Sequence, residues 1–246
     1  MSTETVATKT NTGFEAELNN WIDQEKAAIK LMSIVGSLRF DRAVELIIFR
    51  QQLHDCSVSE ILGHHDYAKK MVDKGFTVFD SLEVAEEMQK MKLAPAKIDL
   101  GKLTHEWLQE RGNDVDVATF LHDKIGSFID DGRGHSAPKD VILYGFGRIG
   151  RLAARELIAQ SAKGDQLRLK AIVTRSNTEL DILKRADLLR TDSVHGPFPG
   201  TILTDIENKA LIINGHTVHM IAANDPSSID YTAYGISNAL VVDNTG

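Results

Sequence analysis

One cysteine, Cys56, stands in 246 residues. A single thiol excludes an internal disulfide and fits a reducing compartment, so a cytoplasmic setting is expected. No apolar run reaches the roughly 18 residues that suggest a membrane span. The Thr-rich start, Met1 to Thr12, lacks the apolar core of a secretion signal. A basic stripe is missing too. The formal charge is −7, with 23 acids against 16 bases over residues 1–138 and 12 of each over 139–246. That balance speaks against nucleic acid and against an anionic membrane surface as partners. No internal repeat is visible. What is there, 42% hydrophobic and 26% charged residues, is the composition of a folded protein with one large or two ordinary domains.

One stretch organises the rest: Val141-Ile-Leu-Tyr144, then Gly145-Phe146-Gly147-Arg148-Ile149-Gly150, then apolar residues at helical spacing, Leu152, Ala153, Leu157 and Ile158. A buried strand, a G-x-G-x-x-G turn and a helix in that order are the context in which such glycines bind a dinucleotide; alone the motif is a weak signal. Gly145 permits the tight turn off the strand, Gly147 lets a pyrophosphate approach the backbone, and Gly150 lets the helix pack close to the sheet. The free N–H groups and dipole of the helix start favour a phosphate there.

In chain order, residues 1–12 are expected to be a mobile tail and 13–130 an all-helical domain. Phe14, Leu18, Trp21, Ile22, Ala28, Ile29, Met32 and Val35 recur at three- and four-residue steps, with Trp21 and Trp107 expected as core anchors. A second helix is expected over Asp41 to His54, with Val44, Ile47 and Ile48 inward. Ser57-Val-Ser-Glu60 has capping-box spacing and opens a third. Asp80 or Ser81 is expected to cap a helix over Leu82 to Met91. Two more are expected, Lys102 to Arg111, and Val115 to Ile129 with Phe120, Leu121 and Phe128 inward. Residues 131–138, rich in Gly and ending in Pro138, form the expected linker. The remainder, 139–246, is the expected dinucleotide-binding domain. Strand patterns occur at 141–144, 169–174, 201–206, 211–213, 217–221 and 239–243, with Asn214-Gly215 as a hairpin turn. A helix over 179–190 has Leu180, Leu183 and Leu188 apolar.

The second strand of a dinucleotide fold usually ends in an acid that takes the ribose 2′-OH, whereas an arginine suits a 2′-phosphate. Here it ends in Thr174-Arg175-Ser176, with no acid. A guanidinium with hydroxyl neighbours binds a phosphate by charge-assisted hydrogen bonds. NADP is therefore favoured over NAD, with dual use as the alternative; Glu179 or Asp181 could swing in and restore NAD.

The motif residues together resemble the glyceraldehyde-3-phosphate dehydrogenase family. The matching pieces are Gly145 to Arg151, Thr191-Asp-Ser-Val-His-Gly196 with Phe198 and Gly200, Ile213-Asn-Gly215, Asp225-Pro226, and Val241-Val-Asp-Asn-Thr-Gly246, in the family's order. The resemblance covers 139–246. It implies an α/β fold, a partial Rossmann-type parallel sheet with an inserted hairpin, and cofactor contacts at Gly145, Phe146, Gly147, Arg148, Ile149 and Gly150. Thr174 aligns with the family's ribose-binding Asp, and Arg175 follows it. Asn224 stands where the family has Arg or Lys near the adenine. Thr245 and Gly246 would line the path to the nicotinamide. Tyr144 replaces the family's Asn.

The resemblance also implies a nucleophilic cysteine several tens of residues past the last matching strand, a histidine base and a substrate domain, none of them expected within this chain. No catalytic residue and no metal ligand is therefore assigned. The expectation is an N-terminal part of a longer phosphorylating dehydrogenase of a small sugar-phosphate aldehyde, homo-oligomeric when complete and inactive as this chain. Two alternatives stand beside it: a non-catalytic module that senses NADP(H), and an erythrose-4-phosphate dehydrogenase. Cys56 reads as a structural or spare thiol. His64-His65-Asp66 reads as a solvated helix end, and His195 as a hydrogen-bonding residue.

Overall fold

A computed structural model describes residues 4–112, 115–129, 138–161 and 167–245, with side chains from Gly13 onward. The chain divides into two compact units, Met1–His135 and Ser136–Gly246. The expected linker falls at this division, but residues 131–137 lie outside the described ones.

The first unit opens with α1, Glu4–Arg42. No glycine or proline interrupts residues 1–12, and helical backbone begins at Glu4, inside the stretch expected to be a tail. Ala27, Ala28, Leu31, Ile34, Val35 and Leu38 are buried along one face. Earlier in the helix, Phe14, Leu18, Trp21 and Ile22 are exposed, so Trp21 anchors no core.

Where a second helix was expected, the chain forms β1, Val44–Ile48, and β2, Gln51–Gln52. Ala43 takes a left-handed φ of 54°, which ends α1. Val44, Leu46 and Ile48 are then buried in alternation with half-buried Glu45 and Ile47, the period of a strand. A parallel partner needs a crossover. α2, Val58–Ala68, and α3, Val78–Lys90, supply it before β3, Ala96–Asp99, pairs with β1 in register Val44↔Ala96. The unit is thus helical around a three-stranded sheet of order β2-β1-β3, not helical throughout.

Ser57 and Glu60 form the expected capping box of α2. Thr77, not Asp80 or Ser81, caps α3; Asp80 is its box partner, and Ser81 is buried. α4, Leu100–Glu110, starts two residues earlier than expected because Asp99 caps it. α5, Val117–Ile125, is capped by Asp116 and gives way to a 3-10 turn over Gly126–Phe128 that leaves Phe128 exposed. Trp107 is buried beside Phe120, ring centroids 5.5 Å apart.

The second unit is built on β4, Lys139–Tyr144, α6, Arg148–Gln160, β5, Leu167–Thr174, and α7, Glu179–Arg190. A short hairpin, β6 Thr191–Asp192 and β7 Gly196–Pro197, follows. Then come β8, Ile202–Asp205, β9, Ala210–Ile213, β10, His216–Ala222, and β11, Leu240–Asp243. The sheet order is β11-β4-β5-β10-β9-β8. Its first four strands are parallel, and β8 and β9 add an antiparallel meander. Asn214 and Gly215, both at positive φ, make the β9–β10 turn.

β4 is buried from Asp140 to Leu143, as a parallel strand covered on both faces should be. Val141 and Leu143 join a core with α6 and α7, and Ile142 joins Ala171, Val173, Ile221 and Ile236 on the other face. α7 has its expected bounds but not its expected face: Ile182, Ala186 and Leu189 are buried, and Leu180, Leu183 and Leu188 are exposed. Among the described residues no helix is long and apolar enough to cross a membrane.

Candidate functional site

Because β4, β5, β10 and β11 run parallel, their carboxyl ends share one edge of the sheet. Register pairs Tyr144 with Val173, Ala222 with Thr174 and Asp243 with Tyr144. The order of connection switches sides at β4, with β5 on one side and β11 on the other. In open α/β sheets the crevice at such a switch point is where ligands bind.

Gly145 turns the chain off β4 at φ 92°, its N–H donating to the Val173 carbonyl at 2.9 Å. A Cβ at Gly145 would lie 3.0 Å from Thr245 Cγ2, and one at Gly150 would lie 2.6 Å from the Gly145 carbonyl oxygen. At Gly150 the helix therefore fits against the turn only without a side chain, and at Gly145 the turn lies close against Asn244 and Thr245 after β11. A Cβ on Gly147 would meet nothing within 4 Å, so open space borders the backbone there. Gly147 is the N-cap of α6, and no side chain caps that helix. The first-turn N–H groups of a helix have no intrahelical partner, so those of Arg148, Ile149 and Gly150 are available to an anion. Phe146 is buried in the helix-side core, while Arg148 and Ile149 are exposed. A free backbone cradle, glycines that a Cβ would fill and an unpartnered helix start fit a dinucleotide pyrophosphate.

At the end of β5, Thr174 is buried and its hydroxyl donates to the Ser176 carbonyl at 2.8 Å. Arg175 is exposed. The nearby acid, Asp181, is already engaged. It accepts from Ser176 Oγ and from Thr178 Oγ1 at 2.7 Å, and Arg185 lies 3.3 Å away. These hydroxyl hydrogen bonds, with Arg185 adding to them, hold its carboxyl below the ordinary carboxylate range. Asn224 is exposed after β10, and its carbonyl accepts from Tyr144 Oη at 2.6 Å. Tyr144 thereby ties the end of β4 to the loop beyond β10 across the intervening β5, a role its place in the sequence did not disclose. Thr245 donates from N–H and hydroxyl to Asp243 at 2.8 and 2.6 Å. Gly246 lies outside the described residues.

In the β6–β7 hairpin, Asp192 accepts from the N–H groups of Val194 and His195 and from His195 Nδ1, at 2.9 to 3.0 Å. The His195 ring first, then those amides, holds the Asp192 carboxyl well below its usual range. His195 is a hydrogen-bonding residue here. Arg155 was missed by sequence reasoning: its guanidinium donates to the carbonyls of Leu189 and Gly196, at 2.7 and 3.0 Å, and clamps the end of α7 to β7. A half-buried arginine bonded to main-chain carbonyls leaves no pattern in the sequence.

In the first unit, the half-buried Cys56 donates to the Gln52 carbonyl at 3.1 Å and lies 3.6 Å from His64 Nε2. Burial, with Glu60 and Asp55 nearby, pushes its thiol up. His65 is not on a solvated helix end. It is buried, with Nδ1 2.7 Å from the Ile61 carbonyl and Nε2 3.0 Å from Ser81 Oγ.

Residues 139–246 match the family described as glyceraldehyde 3-phosphate dehydrogenase, NAD binding domain. A glyceraldehyde-3-phosphate dehydrogenase-like protein of Pseudomonas aeruginosa is 43% identical over 219 residues, 88% of this chain and 47% of its own length. That match is about twice as long as 139–246, so it runs through the first unit as well. The glyceraldehyde-3-phosphate dehydrogenase of Zymomonas mobilis is 35% identical over 106 residues, 43% of this chain and 28% of its own length, and that of Thermotoga maritima is 35% identical over 106. The chain thus spans about half the length, or less, of the curated relatives it matches. Residues 139–246 thus belong to the glyceraldehyde-3-phosphate dehydrogenase NAD-binding domain family.

Proposed function

We propose that the carboxyl edge of the β11-β4-β5-β10 sheet holds a nicotinamide dinucleotide with its pyrophosphate on the N–H groups of Arg148 and Ile149, and that it takes NADP in preference to NAD. The observation that carries the binding is the uncapped start of α6, held against the turn at Gly150, where a Cβ would overlap the Gly145 carbonyl. The preference rests on the second strand. Arg175 is exposed there, and the carboxylate that could favour a ribose 2′-OH, Asp181, is occupied by Ser176, Thr178 and Arg185. Thr174 and Arg175 then face the 2′ position, Asn224 lies at the adenine end, and Thr245 and Gly246 lie towards the nicotinamide. When bound, the nicotinamide supplies a hydride acceptor.

The parent activity is phosphorylating oxidation of a small sugar-phosphate aldehyde by a cytoplasmic homo-oligomer, the reading that the family supports. This chain alone does not turn that substrate over. Its one cysteine, Cys56, sits outside the cofactor unit, and burial disfavours its thiolate, the form that attacks an aldehyde. Fluorescence titration with NADPH and NADH tests the preference. A single charge-assisted hydrogen bond to the 2′-phosphate is worth about tenfold in affinity. NADPH is expected to bind about tenfold more tightly, and Arg175→Ala to remove most of that difference. Tighter binding of NADH would overturn the preference, and aldehyde oxidation above background by the purified chain would overturn its inactivity.

A further inference from the structure

The first half of α1 carries an apolar stripe that its own unit does not cover. Phe14 is 66% exposed, Leu18 and Trp21 49% each, and Ile29 57%, with Ile22 at 37%. At about 100° per residue these five side chains fall within a stripe about 100° wide. The face that packs against the unit's core, Ala27, Leu31, Ile34 and Leu38, points elsewhere. Large exposed apolar side chains gathered on one face mark a docking surface.

We infer that this stripe is the seam of an antiparallel helix pair with a second copy of the chain. The apolar spacing is palindromic about the Trp21–Ile22 bond in two of its three mirror pairs. Phe14 mirrors Ile29, Trp21 mirrors Ile22, and Leu18 mirrors Glu25, the one polar residue within the stripe. A two-fold pair needs that property, because residue i of one copy meets j of the other while j meets i. Charge selects the direction. With the helices antiparallel, Glu15 lies within about two residues of the level of Lys26 of the other copy, on the same flank of the seam. With the helices parallel, the Glu15 flank of one copy faces the Glu17 flank of the other, and acid meets acid. Lys26 is exposed, and its present pairing with Asp23 is a surface ion pair of small worth. From Phe14 to Ile29 the seam is about 22 Å long. An interface of that size makes a concentration-dependent dimer rather than an obligate one.

Sedimentation velocity on the full chain over a hundredfold dilution series tests this. The mass should rise from 27.2 kDa towards twice that value with concentration. The double variant Leu18→Glu, Trp21→Glu should remain at 27.2 kDa throughout, with unchanged circular dichroism because both side chains are exposed in the single chain. Glu15→Lys should weaken the dimer about fivefold, and adding Lys26→Glu should restore it. In a Cys56→Ser background, Ile22→Cys should oxidise to a covalent dimer and Gly13→Cys should not. A wild-type chain that stays monomeric, a dimer that survives the double glutamate variant, or ready cross-linking through Gly13→Cys would overturn the inference.

Discussion

The helices of the first unit and α6 of the second meet the same requirement in opposite ways. A helix start leaves N–H groups that need acceptors. α2 and α3 obtain them from reciprocal capping boxes, and α4 and α5 from aspartates. α6 starts at a glycine with no side-chain oxygen. A capped start is complete within the chain, whereas an uncapped one beside open space awaits an anion from outside. The difference separates helices that hold the fold from the helix that serves the site.

The largest effect is expected at Gly150. Gly150→Ala puts a methyl group 2.6 Å from a backbone oxygen, so helix and turn must separate. Overpacking of this kind costs about 1–3 kcal/mol, readable in a urea melt. Cofactor affinity should fall at least a hundredfold, about 2.7 kcal/mol, in an NADPH titration. Gly147→Asp is the sharper test, because a side chain fits there and the φ of −73° is ordinary. The new carboxylate caps α6 and raises stability by about 0.5–1 kcal/mol, while repelling the pyrophosphate and weakening the cofactor at least tenfold. Loss of stability together with affinity would show that the start of α6 was not an open site.

Smaller effects belong to the first unit. Ser57→Ala and Thr77→Ala should each cost about 1 kcal/mol in thermal melts and leave cofactor affinity unchanged. His65 makes the same unit acid-sensitive. Burial, its largest influence, lowers its pKa despite the Ile61 carbonyl, and His64 and Lys69 push the same way. The folded unit therefore holds His65 neutral, and the unfolded chain takes up the proton first. The associated stability is fully present above about pH 6.5, the ordinary histidine value, and is lost as pH falls from there through the lower folded value. Denaturant midpoints at pH 8 and pH 5 should show that loss, and His65→Gln should flatten it.

These regions also differ in how openly the sequence declares them. The dinucleotide turn was legible because glycine acts through the backbone: Gly145, Gly147 and Gly150 each answer a demand for positive φ, open approach or close packing, and the demands recur at fixed spacing. Val44 to Ile48 was not legible, because four apolar residues around Glu45 fit a strand and a helix face equally until β3 pairs with them from just over fifty residues away. The cap of α3 was ambiguous among Thr77, Asp80 and Ser81, since only backbone geometry tells the cap from its box partner. Periodicity found a face on α1 but could not say what covers it, so Trp21 and Trp107 read alike and proved different. At the site, the absence of an acid after Thr174 was plain, while the engagement of Asp181 by Ser176, Thr178 and Arg185 needed coordinates.

The central claim is that a dinucleotide sits on the bare amides where α6 begins. Amide chemical shifts of the isotope-labelled chain, followed through a titration with NADPH, test it residue by residue. The account predicts that the N–H signals of Gly147, Arg148, Ile149 and Gly150 move most and saturate together, with those of the first unit unmoved. Saturable binding that leaves these four signals in place would contradict it.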